Sequence, residues 1–243
     1  MNEIKDTIES TIKGAVKKNS YGIKEPLIGY ASPNDHLFQE LKRLHPHHLM
    51  PEDLLGDVKS IVAFYLPFDL EIARSNRGGN KVSEKWASAY INANSLINKI
   101  CTLLTDRLKE LDVKATYQKA THNFDEETLK AAWSHRSIAY IAGLGTFGVN
   151  KMLITPVGCA GRFGSIAINY LIEPTVRPDK EYCLFYQGRG CLKCVKACPV
   201  GALTENSIDK YLCYDRLLKV AEDYSSMGLA DVCGKCIGPC ANY

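Results

Sequence analysis

Cys191-Leu192-Lys193-Cys194-Val195-Lys196-Ala197-Cys198-Pro199 decides the reading of this chain. Two thiols separated by two residues sit in one tight turn, and a third follows three residues later. The same C-x2-C-x3-C spacing returns at Cys233, Cys236 and Cys240. Cys183 and Cys213 bring the C-terminal set to eight, and only Cys101 and Cys159 of the ten cysteines lie elsewhere. The chain opens Met1-Asn2-Glu3-Ile4-Lys5-Asp6, a charged amphipathic segment with neither an apolar stretch nor the twin arginines of an export signal. We therefore expect a cytoplasmic, reducing setting. Disulfides are rare there, and dense thiols ligate metal or perform redox chemistry.

Composition excludes other classes. The 243 residues are 46% hydrophobic and 23% charged, an ordinary globular balance that rules out a disordered chain. The longest clean apolar run, Ile61 to Phe68, is far below the roughly 20 residues of a membrane span. A net charge of +3 is too small to argue for nucleic acid. Acids and bases balance from Asp179 onward, so that excess belongs to the first part of the chain. Glu173-Pro174-Thr175-Val176-Arg177-Pro178 reads as a linker, which divides the chain into domains 1–178 and 179–243.

The cysteine array resembles the bacterial two-cluster ferredoxin run, in which the last cysteine of each motif crosses over to the other cluster. That resemblance implies two [4Fe–4S] clusters. Cluster one takes Cys183, Cys191, Cys194 and Cys240, and cluster two takes Cys198, Cys213, Cys233 and Cys236. Two departures bear on it. Seven residues separate Cys183 from Cys191, and Cys240 follows a proline instead of preceding one. Two four-thiolate zinc sites would satisfy the same count.

Ahead of the array, helical and strand patterns alternate. Ile4, Ile8, Ile12 and Val16 predict a helix over residues 3–18, and Leu37, Leu41 and Leu44 a short second one. Ser60 to Leu66 reads as a buried strand, and Ser83 caps a long helix to about Leu111. A strand is expected over Val113–Tyr117, then a helix capped by Asp125 and ended by Gly143. Met152–Thr155 and Ser165–Tyr170 read as two strands joined by a glycine-rich turn. The fold class is α/β or α+β.

Gly143-x-Gly145-x-x-Gly148 formally matches a dinucleotide fingerprint, but a helix precedes it and a strand follows, which is the wrong context. The segment Ala142-Gly143-Leu144-Gly145-Thr146-Phe147-Gly148, followed by Leu153-Ile154-Thr155, resembles a motif of the epoxyqueuosine reductase family and, more distantly, of the reductive dehalogenases. The resemblance covers roughly residues 55–243. It implies a nitroreductase-like α/β domain holding cobalamin beside a ferredoxin-like domain with two clusters. It assigns Gly143, Gly145 and Gly148 to close approach of the corrin, and Thr155, Gly158 and Arg162 to an adjoining hairpin. The family's aspartate motif is missing from Lys119–Asp125, and its C-terminal helical-repeat extension does not follow Cys240. On that ground we expect a small-molecule or protein substrate and regard tRNA as doubtful.

A reductase needs a proton source. His122, Asp125 and Tyr90 are the candidates, with loop surface, helix capping and core packing as their respective alternatives. His135 and Arg136 either bind a carboxylate or phosphate of a cofactor or make helix-surface contacts. His45-Pro46-His47-His48 reads as a solvated loop, Cys101 as core, and Cys159 as either a cofactor neighbour or a small buried residue. The expectation is a cytoplasmic iron–sulfur oxidoreductase, fed by ferredoxin or flavodoxin, whose electrons pass through cluster two to cluster one and on to a corrinoid. The alternatives are an electron carrier or corrinoid-reactivating protein, and a flavin-dependent reductase of the same architecture.

Overall fold

The two hydrophobic periods of the first part become helices and strands in the expected order. In this computed structural model, which describes residues 3–19, 21–120 and 124–241, the elements run α1 (Glu3–Lys17), β1 (Leu27–Ala31), α2 (His36–Leu44), α3 (Pro51–Leu54), β2 (Ser60–Pro67) and α4 (Leu70–Ser75). Then follow α5 (Glu84–Lys109), β3 (Ala115–Thr116), β4 (Phe124–Asp125), β5 (Lys130–Ala131), α6 (His135–Ile141), β6 (Thr146–Phe147), β7 (Leu153–Ile154) and β8 (Gly161–Ile168). The cysteine-rich part holds α7 (Lys193–Lys196) and α8 (Lys210–Asp223) among turns.

The main sheet is antiparallel, in the order β1-β2-β8-β3. Every residue of β2 is buried, because both faces are covered. Val62, Phe64 and Leu66 point to α1 and α5, where Ile97, Ile100, Leu104 and Leu108 are fully buried. Ile61, Ala63 and Tyr65 point the other way, to a layer that includes α6 and Trp133. This is the period of two read across a sheet with helices on both sides. Ser83 caps α5 by accepting from the Trp86 N–H at 3.1 Å. Among the described residues no helix is long and apolar enough to cross a membrane.

Three expectations need correction. Asp125 starts no helix. It closes the β4–β5 hairpin by accepting from the Thr128 N–H at 2.7 Å, and α6 begins ten residues later, capped by Ser134. An Asp that accepts from the third residue on looks the same in a turn and in a helix start. Second, β7 and β8 do not form a hairpin. β7 pairs with β6, while β8 runs between β2 and β3. Third, the strand over Val113–Tyr117 shrinks to Ala115–Thr116, because only those residues find partners on β8. The proline-containing segment runs along β1: Thr175 and Tyr30 exchange hydrogen bonds at the outer edge of that strand, and Arg177 pairs with Asp35. Strand β1 had no reading of its own in the sequence. Its five residues, Leu27-Ile28-Gly29-Tyr30-Ala31, are too few to show a period.

The histidine tract is also more ordered than a solvated loop. His48 is buried against Trp133, accepts from the Ser134 N–H at 3.0 Å and bonds to the Leu49 carbonyl at 2.7 Å.

The cysteine-rich part packs onto the N-terminal layer through two apolar clusters. One joins Trp86, Tyr90 and Ala93 of α5 to Val220, Val232 and Ala241. The other joins Val149 and Ile154 to Cys183, Cys194 and Leu203.

Candidate functional site

The eight C-terminal cysteines fall into two neighbourhoods. Cys183, Cys191, Cys194 and Cys240 line one cavity of about 60 Å³, which Val149, Asn150 and Ile154 close from the N-terminal layer. Burial and the fields of Cys240 and Cys183 push the Cys194 thiol up to about 11. Cys236 is pushed up to about 12 by burial and then by Cys213, Cys233 and Cys198, and Cys213 to about 11 by burial and then by Cys233 and Cys198. The members of the second group thus feel one another. As bare thiols Cys213 and Cys236 would stay protonated at neutral pH; a bound metal would hold them as thiolates.

Among the described residues no three His, Cys, Asp or Glu side chains converge on a single ion. A four-iron cube asks for something else, one thiolate on each of four separate corners. The donor set is soft thiolate, which suits iron–sulfur or zinc chemistry. A further detail fits the cube at the second group. The Trp86 Nε1–H is buried without an acceptor, and its ring presses on Gly234, inside the Cys233–Cys236 turn. A Cβ at Gly234 would lie 2.4 Å from Nε1, and the residue has φ +69°, so only glycine is tolerated there. The sulfides of a cluster held there would supply the acceptor that this donor lacks.

The ninth cysteine lies beside the first group. Cys159 is buried, hydrogen-bonds the Cys240 sulfur, and receives the Asn150 side-chain N–H at 3.8 Å. That contact lowers Cys240 and raises Cys159. Cys101 is core, as expected.

On the N-terminal side, two guanidiniums face this region. Arg136 donates to the Lys151 carbonyl and the Met152 sulfur at 3.2 and 3.1 Å, and it feels both Cys236 and Cys213. Arg162 lies 4.5 Å over the Tyr90 ring and donates to Asn94 at 2.9 Å. Burial and the nearby Arg162 lower Arg136 from its ordinary value. Neither arginine has a carboxylate partner among the described residues. The β4–β5 hairpin reaches the same area, where Phe124 meets Tyr214 of α8 edge-on, next to Cys213.

The other expected residues are engaged internally. The Tyr90 hydroxyl donates to Asp231 at 2.8 Å, and burial pushes its pKa up to about 12. The Trp133 indole donates to the Ser165 hydroxyl, which bonds His135 Nδ1 at 2.7 Å, while His135 Nε2 meets the Lys119 carbonyl at 3.3 Å. That chain uses both ring nitrogens and fixes a neutral imidazole with its proton on Nε2. Thr155 and Gly158 bond each other in a tight turn. Asp125 is exposed on its hairpin, held low by Thr128, and His122 lies outside the described residues.

At the three glycines assigned to the corrin, the space beside each Cα is taken by the chain itself. A Cβ at Gly143 would meet the Val176 carbonyl at 3.1 Å, at Gly145 the Ile154 carbonyl at 2.2 Å, and at Gly148 the Ile154 side chain at 2.7 Å. The chain itself fills the space that a side chain would take, so these glycines serve close packing within the protein. A separate groove of about 440 Å³ between α1 and α5, lined by Lys18, Lys99 and Arg107 among others, contains none of the expected residues.

An antiparallel α/β layer over two groups of four cysteines defines a fold shared with two groups of reductases. A solved epoxyqueuosine reductase from Streptococcus thermophilus matches 99% of this chain and 66% of its own, with a TM-score of 0.61 at 18% identity. A catabolic reductive dehalogenase matches 77% of this chain and 26% of its own, with a TM-score of 0.56 at 14% identity. Sequence likeness separates the two groups: the chain is epoxyqueuosine reductase-like, and distant from the dehalogenases. It is 28% identical over 207 residues to the epoxyqueuosine reductase of Bacillus subtilis, covering 82% of this chain and 46% of that protein. It is 26% identical over 163 residues to that of Bacillus cereus, covering 64% and 38%. The chain therefore spans less than half the length of these curated relatives. No family model matches it.

Proposed function

We propose that this chain is an iron–sulfur oxidoreductase in which two [4Fe–4S] clusters carry single electrons to an acceptor seated against Arg136 and Arg162. The grouping of Cys183, Cys191, Cys194 and Cys240 around one cavity carries the reading. The clusters supply one-electron transfer; the chain's own residues supply ligands, enclosure and charge. Cys183, Cys191, Cys194 and Cys240 hold cluster one beneath Asn150 and Ile154. Cys198, Cys213, Cys233 and Cys236 hold cluster two beneath Trp86. Arg136 feels the second group. We therefore order the path from an external ferredoxin or flavodoxin through cluster one to cluster two, the reverse of the order expected from the sequence. Residues 179–243 act in this reading as the electron-transfer domain.

The paired guanidiniums without carboxylates favour an anionic or phosphate-bearing group at the end of the path. A corrinoid is one such acceptor, and one solved structure of this fold is described as a B12-dependent dehalogenase. Another solved structure, an epoxyqueuosine reductase, carries an epoxyqueuosine-modified tRNA stem loop. That returns tRNA to the substrates to be tested, beside small molecules and proteins.

The test is anaerobic. Reconstituted, reduced protein is mixed in turn with cob(II)alamin, with flavin, and with an epoxyqueuosine-modified stem loop. A base-off corrinoid spectrum, or conversion of the stem loop, supports an enzyme, and a flavin spectrum selects the flavin alternative. Oxidation of the clusters by none of the three removes the enzymatic reading and leaves the electron-carrier one. If an acceptor is found, Arg136→Gln is expected to slow its reduction about 10–100-fold, the loss of one charge-assisted contact of about 1.5–3 kcal/mol. Iron content should be unchanged in that variant.

A further inference from the structure

Lys235 stands between two cysteines of the second group, in Cys233-Gly234-Lys235-Cys236, and only 6% of it is exposed. Its ammonium donates to three carbonyls, those of Asn76 at 3.0 Å, Gly78 at 2.9 Å and Lys81 at 2.7 Å. Three acceptors and no donor around one nitrogen require the charged form, with all three N–H groups used. No carboxylate pairs with it among the described residues; the charged neighbours it feels are Cys233 and Arg216. A buried charge whose hydrogen bonds are met but whose charge is not compensated is costly unless an anion lies close by.

The clamp that holds it is rigid. Asn76 is buried, donates to the Cys233 carbonyl at 2.8 Å and accepts from the Ser83 N–H, while the Tyr224 hydroxyl bonds the Val82 carbonyl. The ammonium is thus tied by three hydrogen bonds to the segment 76–81. At the first group the nearby lysine is Lys193, which is exposed and therefore screened.

We propose that Lys235 makes cluster two the electron sink of the pair, a reading that rests on the two-cluster function proposed above. A tetrathiolate iron–sulfur cube is negative in both oxidation states and more so when reduced. A fixed cation carried by a residue of its ligand turn, close enough to feel Cys233, stabilises the reduced state more, and so raises its reduction potential. Reduction adds one electron to the cube and makes or breaks no bond; the electron comes from cluster one, refilled by the external one-electron donor. Lys235 thereby sets the downhill direction, from cluster one towards the Arg136 side. It is a positioning residue for charge and touches no substrate.

The test is a redox titration of the cluster-loaded protein followed by electron paramagnetic resonance. The two one-electron steps are assigned with Cys194→Ser, which leaves cluster two alone. In Lys235→Met the reduced-to-oxidised ratio of cluster two at a fixed potential is expected to fall about tenfold, which for one electron is about 59 mV. The cluster-one step should stay in place, and Lys235→Arg should restore the original value. Lys235→Gln keeps two N–H donors for the carbonyls and guards against misfolding. An unmoved cluster-two step with full iron content overturns the proposal. Loss of cluster two from both neutral variants but not from Lys235→Arg also overturns it, in favour of a purely mechanical clamp. Wild-type protein that takes up no cluster overturns the function on which the proposal rests, and is told apart because the wild type itself then shows no redox step.

Discussion

Cys236→Ser is expected to remove one cluster and spare the other. Iron bound after anaerobic reconstitution should fall from about eight to about four per chain, because Cys236 belongs to the second group while the first stays complete. Cys194→Ser should lose the same amount from the opposite site. The double variant should bind almost none. In each single variant the electron paramagnetic resonance of the reduced protein should simplify to that of one isolated cluster. Loss of all iron from either single variant would mean that the two groups are one site. An undiminished iron content would mean that Cys159, in contact with Cys240, or another thiol takes over as ligand. Iron per chain and the resonance line shape decide among these outcomes.

The second large effect is on stability against acid. His135 is fully enclosed, and burial lowers its pKa from 6.5 to about 4. The unfolded chain binds this proton near pH 6.5 and the folded chain only near pH 4. The contribution of the neutral imidazole is therefore complete above about pH 6.5 and is lost as pH falls towards 4. The pKa difference corresponds to roughly 3 kcal/mol. His48 is lowered too, again first by burial, and adds to the same slope. Urea midpoints between pH 7 and pH 5 should fall steeply for the wild-type chain and less steeply for His135→Gln. That variant loses stability at pH 7, because the Ser165 hydroxyl and Lys119 carbonyl lose their partner. Equal slopes would show that His135 takes up its proton at the same pH in the folded and unfolded chains.

The sequence carried the elements whose apolar residues repeat over several turns. α1, α5 and β2 emerge where the spacing of Ile8, Ile12, Ile97, Ile100 and Leu104, and the unbroken run from Ile61, placed them. The cysteine groups were legible for a different reason, since ligand spacing is a local property of the chain. What was not legible depended largely on partners distant in sequence. Asp125 makes the hydrogen bond of a helix cap in a hairpin, and nothing within six residues distinguishes the two. The glycines of Gly143–Gly148 look alike whether they face a cofactor or the Ile154 and Val176 backbone. His135 looked like a surface or cofactor residue because Ser165 and Trp133, which enclose it, come from another strand and another turn. Lys235 and Trp86 gave no signal at all. Their roles exist only once the segment 76–86 lies across the Cys233–Cys236 turn.

Sulfur held in two fours is the statement from which the rest descends. Its most direct measurement is the metal and acid-labile sulfide content of the wild-type chain, purified and reconstituted without oxygen. We predict about eight irons and eight sulfides per chain and no stoichiometric zinc. Two zinc ions with no labile sulfide, or iron at about one ion per site, would contradict the account.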